Sequence, residues 1–252
     1  APLVFDGLGV EVTWRADRPD GFNINARSGS LHPEHVARLT RSRTADAGMA
    51  FDGDGDRVML CDGRGRILNG DRILGILAVH YVKHKRLPGA AVVGTVMTNL
   101  GLEIYLRERG IRLIRADVGD RFVAEQIRRR GLVLGGEQSG HILLPRLAPS
   151  GDGLLTALEV LAVARTEGSP LSALARGWED FPQRLVNLPV RRKPEVESLP
   201  ALQKALAAAR RELGGRARVN VRYSGTEPLL RIMVETERPD AASQWADRLA
   251  DA

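Results

Sequence analysis

The apolar positions in the middle of the chain form two kinds of segment. Short apolar runs, typical of buried strands, are separated by longer segments with the apolar spacing of helices. The predicted strands span residues 47–51, 58–61, 91–96, 111–115 and 132–134. The predicted helices span residues 71–84, 99–109, 120–130, 153–166 and 171–176. Apolar strands separated by helices of this length predict an α/β fold, with mainly parallel-type mixed sheets flanked by helices.

The two ends of the chain follow different patterns. Near the N-terminus, residues 10–14 predict a strand, and Pro33 followed by Glu34 predicts the start of a helix. Glycine and proline interrupt the pattern near residues 178–182, which predicts a domain boundary. The elements predicted after it are a strand at 184–190, a helix at 195–213, strands at 218–222 and 229–235, and a helix at 241–250. This order predicts a small C-terminal α+β domain.

The composition is that of an ordinary globular protein. Of the 252 residues, 43% are hydrophobic and 27% are charged. No apolar run approaches the roughly 20 residues that span a bilayer, so we expect no membrane partner. The net charge is +6, but the basic residues are spread out without interleaved aromatic residues, so we expect no nucleic-acid partner. Cys61 is the single cysteine, which excludes an intrachain disulfide and a cysteine metal site and favours a cytoplasmic location.

Residues 52–57, here called the acidic loop, carry the strongest chemical signal. Asp52, Asp54 and Asp56 alternate with glycines after a hydrophobic strand. In a regular strand these carboxylates would face one side and repel one another, but the glycines free the backbone to curl. Carboxylate oxygens that converge in this way suit Mg²⁺. The plainer alternative is an acidic turn in solvent.

Two other classes of acidic loop fit less well. An EF-hand loop counted from Asp52 requires glycine at its sixth position and glutamate at its twelfth, where Arg57 and Gly63 stand. A phosphatase of the haloacid dehalogenase type requires a threonine two residues after its Asp-x-Asp pair, where Asp56 stands. Both classes are therefore disfavoured.

Residues 136–141, here called the glutamate loop, have the sequence Gly-Glu-Gln-Ser-Gly-His. The glycines expose backbone N–H groups, and Glu137 and Ser139 are suited to bind neighbouring sugar hydroxyls. His141 taken alone fits a buried structural histidine as well as a functional one.

Residues 222–228, here called the arginine loop, have the sequence Arg-Tyr-Ser-Gly-Thr-Glu-Pro. Arg222, the hydroxyls of Ser224 and Thr226, Gly225, and Arg231 on the next strand make a pocket suited to a phosphate dianion. Arginine binds phosphate in a bidentate way that lysine does not reproduce. The alternative is a plain polar turn.

In this order, the three loops resemble the α-D-phosphohexomutase superfamily. The resemblance extends over essentially the whole chain, from residues 23–25 to Arg231. It implies that Asp52, Asp54 and Asp56 hold Mg²⁺, with Arg57 beside the reacting phosphoryl group. The glutamate loop would bind the sugar, and the arginine loop would bind the phosphate that is not being transferred.

The superfamily's reaction is a reversible phosphoryl exchange with a phosphoserine of the first domain. A bisphosphate intermediate turns over in the cleft, and its other phosphate returns to the serine. No Ser-His-Asn-Pro-type segment occurs in this chain, so we expect the first domain to be missing and the isolated polypeptide to be inactive. Asp120 and Arg121 lie where other branches place a histidine of proton transfer. Asp120 is thus a candidate base, or simply an acid at a helix N-terminus.

The resemblance divides the chain into three parts of a four-domain protein. Residues 1–66 would be the latter part of the second domain, 67–178 the third and 179–252 the fourth. The glutamate loop and residues 118–121 most resemble the phosphoglucosamine mutase branch, which makes glucosamine 1-phosphate from glucosamine 6-phosphate for cell-wall precursors. A phosphomannomutase/phosphoglucomutase, a phosphatase and a non-catalytic sugar-phosphate binding protein stay open. The expected partners are a phosphorylated amino sugar and the missing N-terminal domain, with a homodimer left open.

Overall fold

The computed structural model describes all 252 residues, which form two compact units. The first unit comprises Ala1–Thr98 and Leu102–Trp178, and the second comprises Asn99–Gly101 and Glu179–Ala252. None of the helices combines the length and the apolar character that crossing a membrane requires. The further division expected at residue 66 stays a prediction.

An antiparallel sheet carries the acidic loop in the first unit. Strands β1 (Ala47–Phe51) and β2 (Val58–Asp62) form a hairpin in which Phe51 lies opposite Val58. Strand β3 (Ile67–Leu68) pairs with the other edge of β2. Helix α2 (Pro33–Ser42) packs against this hairpin. The acidic loop is therefore the connection of a hairpin.

A second, mixed sheet of the first unit has the order β5-β4-β6-β7. Strands β5 (Arg112–Ala116) and β6 (Gly135–Gly136) pair in parallel with β4 (Ala91–Thr95), and β7 (Ile142–Leu143) pairs antiparallel with β6. Further helices of the first unit are α3 (Gly70–Lys83), α4 (Leu100–Arg107), α5 (Asp120–Arg130), α6 (Gly153–Thr166) and α7 (Leu171–Leu174). Helices α3 and α5 pack against this sheet, whereas α6 and α7 pack against β2 of the antiparallel sheet. The α/β class is confirmed, and parallel pairing is confined to the mixed sheet.

Three helix ends of the first unit have clear capping chemistry. Asn69 accepts a hydrogen bond from the Arg72 N–H at the start of α3, and Asp152 does the same for Leu155 at the start of α6. Helix α5 is capped at its C-terminus by Gly131, whose φ of +63° favours glycine.

The core of the first unit is mainly aliphatic, as expected from the low aromatic content of 4%, with Tyr81 and Tyr105 also buried in it. Side chains from α3, α4, α6 and the strands pack together there and are almost fully buried from solvent. The largest of them are Leu60, Leu68, Ile73, Leu74, Leu77, Leu102, Leu106, Ile111, Leu134 and Ile142. Because Leu60 lies on β2, the acidic loop is anchored to this core.

A charged cluster joins the C-terminal ends of α3 and α6. Glu167 Oε1 lies 2.8 Å from His80 Nδ1 and 2.9 Å from His84 Nε2, and Lys83 donates to Glu167 Oε2. The hydrogen bond from Lys83, followed by those from His84 and His80, lowers the pKa of Glu167 to about 2.

The second unit is a three-stranded antiparallel sheet covered by two helices. Its strands β8 (Gln183–Pro189), β9 (Ala217–Tyr223) and β10 (Leu229–Thr236) have the order β8-β10-β9. Helices α8 (Pro200–Leu213) and α9 (Pro239–Ala250) pack Leu206, Trp245, Leu249 and their neighbours against Ile232. The predicted α+β character of this part is confirmed. The arginine loop connects β9 to β10.

Three predicted elements differ in the structure. Residues 10–14 join none of the three sheets, so they have no strand to bond with, and an unpredicted helix α1 (Pro2–Gly7) precedes them. Residues 132–134 do not form the expected strand. The strand lies directly after them, at Gly135–Gly136, because Gly135 is the residue that pairs with Val93 of β4. The helix expected at 195–213 is interrupted before Pro200, because a proline disfavours the α conformation in the residue that precedes it.

Candidate active site

The acidic loop folds so that its three carboxylates converge. Oxygen atoms of Asp52, Asp54 and Asp56 lie within 4.8 Å of one another. The Asp52 carboxylate accepts the Arg57 N–H at 3.1 Å, which closes the loop. Gly55 has a φ of +76°, a conformation that favours glycine and lets the loop curl. The structure therefore places the predicted metal ligands together.

The charges of the acidic loop are only partly compensated. Arg57 Nε lies 3.7 Å from both Asp52 Oδ2 and Asp56 Oδ1, too far for a hydrogen bond. Asp56 Oδ1 is buried and has no hydrogen-bond partner. A buried anionic oxygen is costly without a compensating partner. The loop thus fits a hard cation such as Mg²⁺ on the chemistry of its own atoms.

His141 connects the acidic loop with the glutamate loop. Its Nδ1 lies 3.1 Å from Asp56 Oδ2, and its backbone forms a β-bridge with Arg57. The ring is buried, and Gly151 lies directly against it. The structure therefore places His141 beside a predicted metal ligand.

Two glycines allow the glutamate loop to approach its neighbours closely. A Cβ on Gly140, whose φ is +93°, would lie 2.3 Å from Val58 O, and Gly140 O accepts the Val58 N–H. A Cβ on Gly70, the first residue of α3, would lie 1.8 Å from Glu137 O. The Gly70 N–H donates to Gln138 O at 3.0 Å. The glutamate loop is therefore held between β2 and the start of α3.

Glu137 also bonds the segment that precedes α5. Its Oε1 accepts the Gly119 N–H at 2.9 Å, which brings Asp120 and Arg121 into the neighbourhood of the glutamate loop. Asp120 is exposed at the first position of α5, and the Arg121 guanidinium stacks over the ring of Phe122. Both roles considered for Asp120 are compatible with this position. Ser139 is half-buried within the loop.

The arginine loop, in the second unit, gathers positive charge. Arg222 and Arg231 are direct cross-strand partners, so their side chains share one face of the sheet. Like charges in this position are destabilising unless an anion lies near, and Glu227 pairs with Arg231. Ser224 is buried, and its hydroxyl accepts the Glu227 N–H at 3.2 Å, whereas Gly225 and Thr226 are exposed. The structure thus brings the predicted phosphate-binding residues together at one turn.

Some residues of these loops were not anticipated from the sequence. Lys193 donates to Ser224 O at 2.6 Å and adds a cation to the arginine loop. Gly153, the first residue of α6, donates its N–H to Gly55 O at 2.8 Å and supports the acidic loop. The glycine pair around the capping Asp152 was an available signal for the second contact. No sequence pattern pointed to Lys193.

Two family models match the chain. Residues 69–181 match "Phosphoglucomutase/phosphomannomutase, alpha/beta/alpha domain III", and residues 185–252 match "Phosphoglucomutase/phosphomannomutase, C-terminal domain". The chain belongs to the phosphohexomutase superfamily. The predicted superfamily is thereby confirmed, and the two matched ranges include the glutamate and arginine loops.

The curated relatives of this phosphohexomutase chain include proteins named phosphoglucosamine mutase. That of Desulfovibrio desulfuricans is 47% identical over 250 residues, which cover 99% of this chain and 56% of the relative. That of Halorhodospira halophila is 48% identical over 250 residues, which cover 99% of this chain and 55% of the relative. The chain therefore spans little more than half the length of the relatives it matches.

Solved structures of phosphohexomutases share the fold of the chain. A phosphoglucomutase/phosphomannomutase family protein from Burkholderia thailandensis is 25% identical, with a TM-score of 0.78, over 99% of this chain and 56% of that one. The N-acetylphosphoglucosamine mutase of Aspergillus fumigatus, solved in complex with GlcNAc-6P and magnesium, is 20% identical, with a TM-score of 0.72. That match covers 96% of this chain and 60% of the fungal one.

Proposed function

We propose that this chain is the metal-, sugar- and phosphate-binding part of a phosphoglucosamine mutase. The intact protein would interconvert glucosamine 6-phosphate and glucosamine 1-phosphate through a phosphoserine and a bisphosphate intermediate. The observation that carries the proposal is the contact of His141 with Asp56, because it joins a carboxylate cluster suited to a metal to a loop suited to a sugar. The names of relatives 44–48% identical favour the amino sugar as substrate.

In this proposal, Asp52, Asp54 and Asp56 hold Mg²⁺. When bound there, the ion offsets negative charge on the transferring phosphoryl oxygens. His141 acts as a positioning residue, because its contact with Asp56 Oδ2 at 3.1 Å fixes how that carboxylate is presented. The magnesium complex of the fungal relative supports the choice of ion.

Arg57 would stabilise the charge that the phosphoryl group carries during transfer. Its side chain is 42% exposed, and its guanidinium is held near Asp52 and Asp56 without forming hydrogen bonds to them. Guanidinium N–H groups that make no hydrogen bond to these carboxylates are available to donate to the oxygens of a bound phosphoryl group. Arg57 would therefore contact the reacting group directly.

The glutamate loop would orient the sugar. The bond from Gly119 fixes the Glu137 carboxylate, which would accept hydrogen bonds from sugar hydroxyls together with Ser139. Asp120 and Arg121 lie at the start of α5, next to Gly119, and we propose Asp120 as the base that moves the hydroxyl proton.

The arginine loop would hold the phosphate that is not transferring. Arg222 and Arg231 share one face, so a dianion between them would relieve their repulsion and accept bidentate hydrogen bonds. The hydroxyls of Ser224 and Thr226 and the N–H of Gly225 add donors, while Lys193 steadies the loop through Ser224 O.

The substrate is tested by comparing kcat/KM of the full protein for three hexose 6-phosphates. Purified protein is assayed with the 6-phosphates of glucosamine, mannose and glucose, with Mg²⁺ and a hexose 1,6-bisphosphate primer. The proposal expects the highest kcat/KM for glucosamine 6-phosphate. A preference for mannose or glucose 6-phosphate would assign the protein to the phosphomannomutase/phosphoglucomutase branch instead. Hydrolysis to free phosphate without isomerisation would show a phosphatase.

A further inference from the structure

We infer that His80, His84 and Glu167 form a binding site for one transition-metal dication of the Zn²⁺ type. The site is separate from the acidic loop. Helix α6 begins beside that loop and contains 14 residues, so its far end, where Glu167 lies, is about 20 Å away. The inference does not depend on the proposed mutase activity.

The two histidines are one helical turn apart and face the same way. Residues at this i, i+4 spacing lie above one another on a helix, and the two ring centroids are 4.3 Å apart. Glu167 caps the C-terminus of the neighbouring helix α6 and presents one oxygen, Oε1, to both rings. One potential ligand atom from each residue lies within 4.8 Å of the other two. Two packed helices therefore position three ligands at a single point.

The distances require only a small adjustment to admit the ion. A tetrahedral Zn²⁺ bound about 2.0–2.1 Å from its ligands separates them by about 3.3 Å. The two N···O distances are 2.8 and 2.9 Å, so each would lengthen by about half an ångström. Rotation of the His84 side chain, which is 39% exposed, and of the carboxylate provides this movement.

The proton balance of binding is simple. In the free site, each ring nitrogen that donates to Glu167 Oε1 carries a hydrogen. A neutral imidazole moves this proton to its other nitrogen through solvent, and the facing nitrogen then presents its lone pair to the ion. Oε1 loses two N–H donors and gains the cation, and no redox step is involved.

The ligand set selects a class of metal. Two imidazoles and one carboxylate suit Zn²⁺, Co²⁺ or Ni²⁺, whereas Mg²⁺ and Ca²⁺ prefer oxygen ligands alone. Three protein ligands leave the fourth tetrahedral position to water. Because the ends of two helices would be held by one ion, its expected effect is to stabilise the first unit.

Lys83 has a mixed effect on this site. It donates to Glu167 Oε2, the oxygen that does not face the rings, and so holds the carboxylate in place. Its positive charge also opposes a second cation nearby. Its side chain is 62% exposed, so replacing it should disturb packing little. Lys83→Met is therefore a variant that should keep metal binding or strengthen it.

The test is a zinc titration of the chelator-treated chain by calorimetry, with excess Mg²⁺ present to occupy the acidic loop. We expect saturable binding of one Zn²⁺ per chain and a rise in Tm on zinc addition. His84→Ala should weaken zinc binding by more than about a hundredfold. Loss of a residue that only hydrogen-bonds to a metal ligand already lowers metal affinity about ten- to a hundredfold, and His84 would be a ligand itself. Lys83→Met and Asp54→Asn should retain binding. Co²⁺ should give visible absorption bands that His84→Ala abolishes.

Glu167→Gln is a second variant that removes a ligand charge while nearly conserving shape, and it should weaken zinc as well. Circular dichroism of both variants establishes that they are folded. Absence of saturable zinc binding in the native chain overturns the inference. Binding that survives His84→Ala, or that is lost in Asp54→Asn or Lys83→Met, overturns it too, because the ion would then lie elsewhere.

Discussion

Asp56 is subject to two different constraints at its two oxygens. Oδ2 lies 3.1 Å from His141 Nδ1, whereas Oδ1 is buried without a hydrogen-bond partner. The contact with His141 fixes the carboxylate. The oxygen without a partner, Oδ1, is anionic and favours a cation. The spacing of the three aspartates was sufficient to predict their convergence. The partner of Asp56 was not predictable, because His141 is 85 positions away along the chain and meets it only through tertiary folding.

At the metal ligands, Asp54→Asn should impair the reaction without unfolding the protein. Asp54 is exposed, so the substitution removes a charge but no packing. We expect kcat of the full protein to fall by about two orders of magnitude or more, and the Mg²⁺ concentration for half-maximal rate to rise. Initial rates measured across a Mg²⁺ series check this. An unchanged Mg²⁺ dependence would remove the metal role from the acidic loop.

At the arginine loop, Arg222→Lys should weaken substrate binding more than the chemical step. Lysine keeps the charge but loses the bidentate fork, at a cost of about 1.5–3 kcal/mol. KM of the full protein should rise roughly ten- to a hundredfold, with a smaller change in kcat. Arg211→Lys, on an exposed position of α8, is the matched control and should leave both constants unchanged. A fall in kcat at constant KM would show that the loop does not hold the remote phosphate.

At the scale of elements, the position of the glutamate loop depends on close backbone contacts. Most helices and long strands follow from apolar periodicity, and α5 and α6 have the predicted bounds. The short strands β6 and β7 could not be predicted in this way, because two residues cannot show a periodicity. The approach of Gly70 to Glu137 is also invisible in the sequence, since it depends on how α3 meets the loop in space.

Gly70→Ala should displace the glutamate loop. The new Cβ would lie 1.8 Å from Glu137 O and 2.8 Å from the Gly140 nitrogen, so backbone would have to move. We expect a loss of stability of about 1–3 kcal/mol and a higher KM for the sugar phosphate. Urea unfolding and steady-state kinetics measure the two effects. Gly7→Ala, where no atom lies within 4 Å of the added Cβ, is the matched control. Equal changes in stability and KM for Gly70→Ala and Gly7→Ala would contradict the view that α3 supports the glutamate loop.

At the scale of the whole molecule, the chain holds three of the loops that the proposed reaction requires. The acidic and glutamate loops are in contact within the first unit, and the arginine loop belongs to the second. The curated relatives extend over nearly twice the matched length. In the proposed reaction, the phosphoserine that gives and takes the phosphoryl group would lie in the part of the full protein that this chain does not cover.

The most direct test of the account follows glucosamine 1-phosphate by ³¹P NMR after addition of glucosamine 6-phosphate, Mg²⁺ and a glucosamine 1,6-bisphosphate primer. The full protein should form glucosamine 1-phosphate in an Mg²⁺-dependent reaction, and residues 1–252 alone should form none. Turnover by residues 1–252 well above a blank would show that the nucleophile lies within this chain. Failure of the full protein to form glucosamine 1-phosphate would contradict the proposed function.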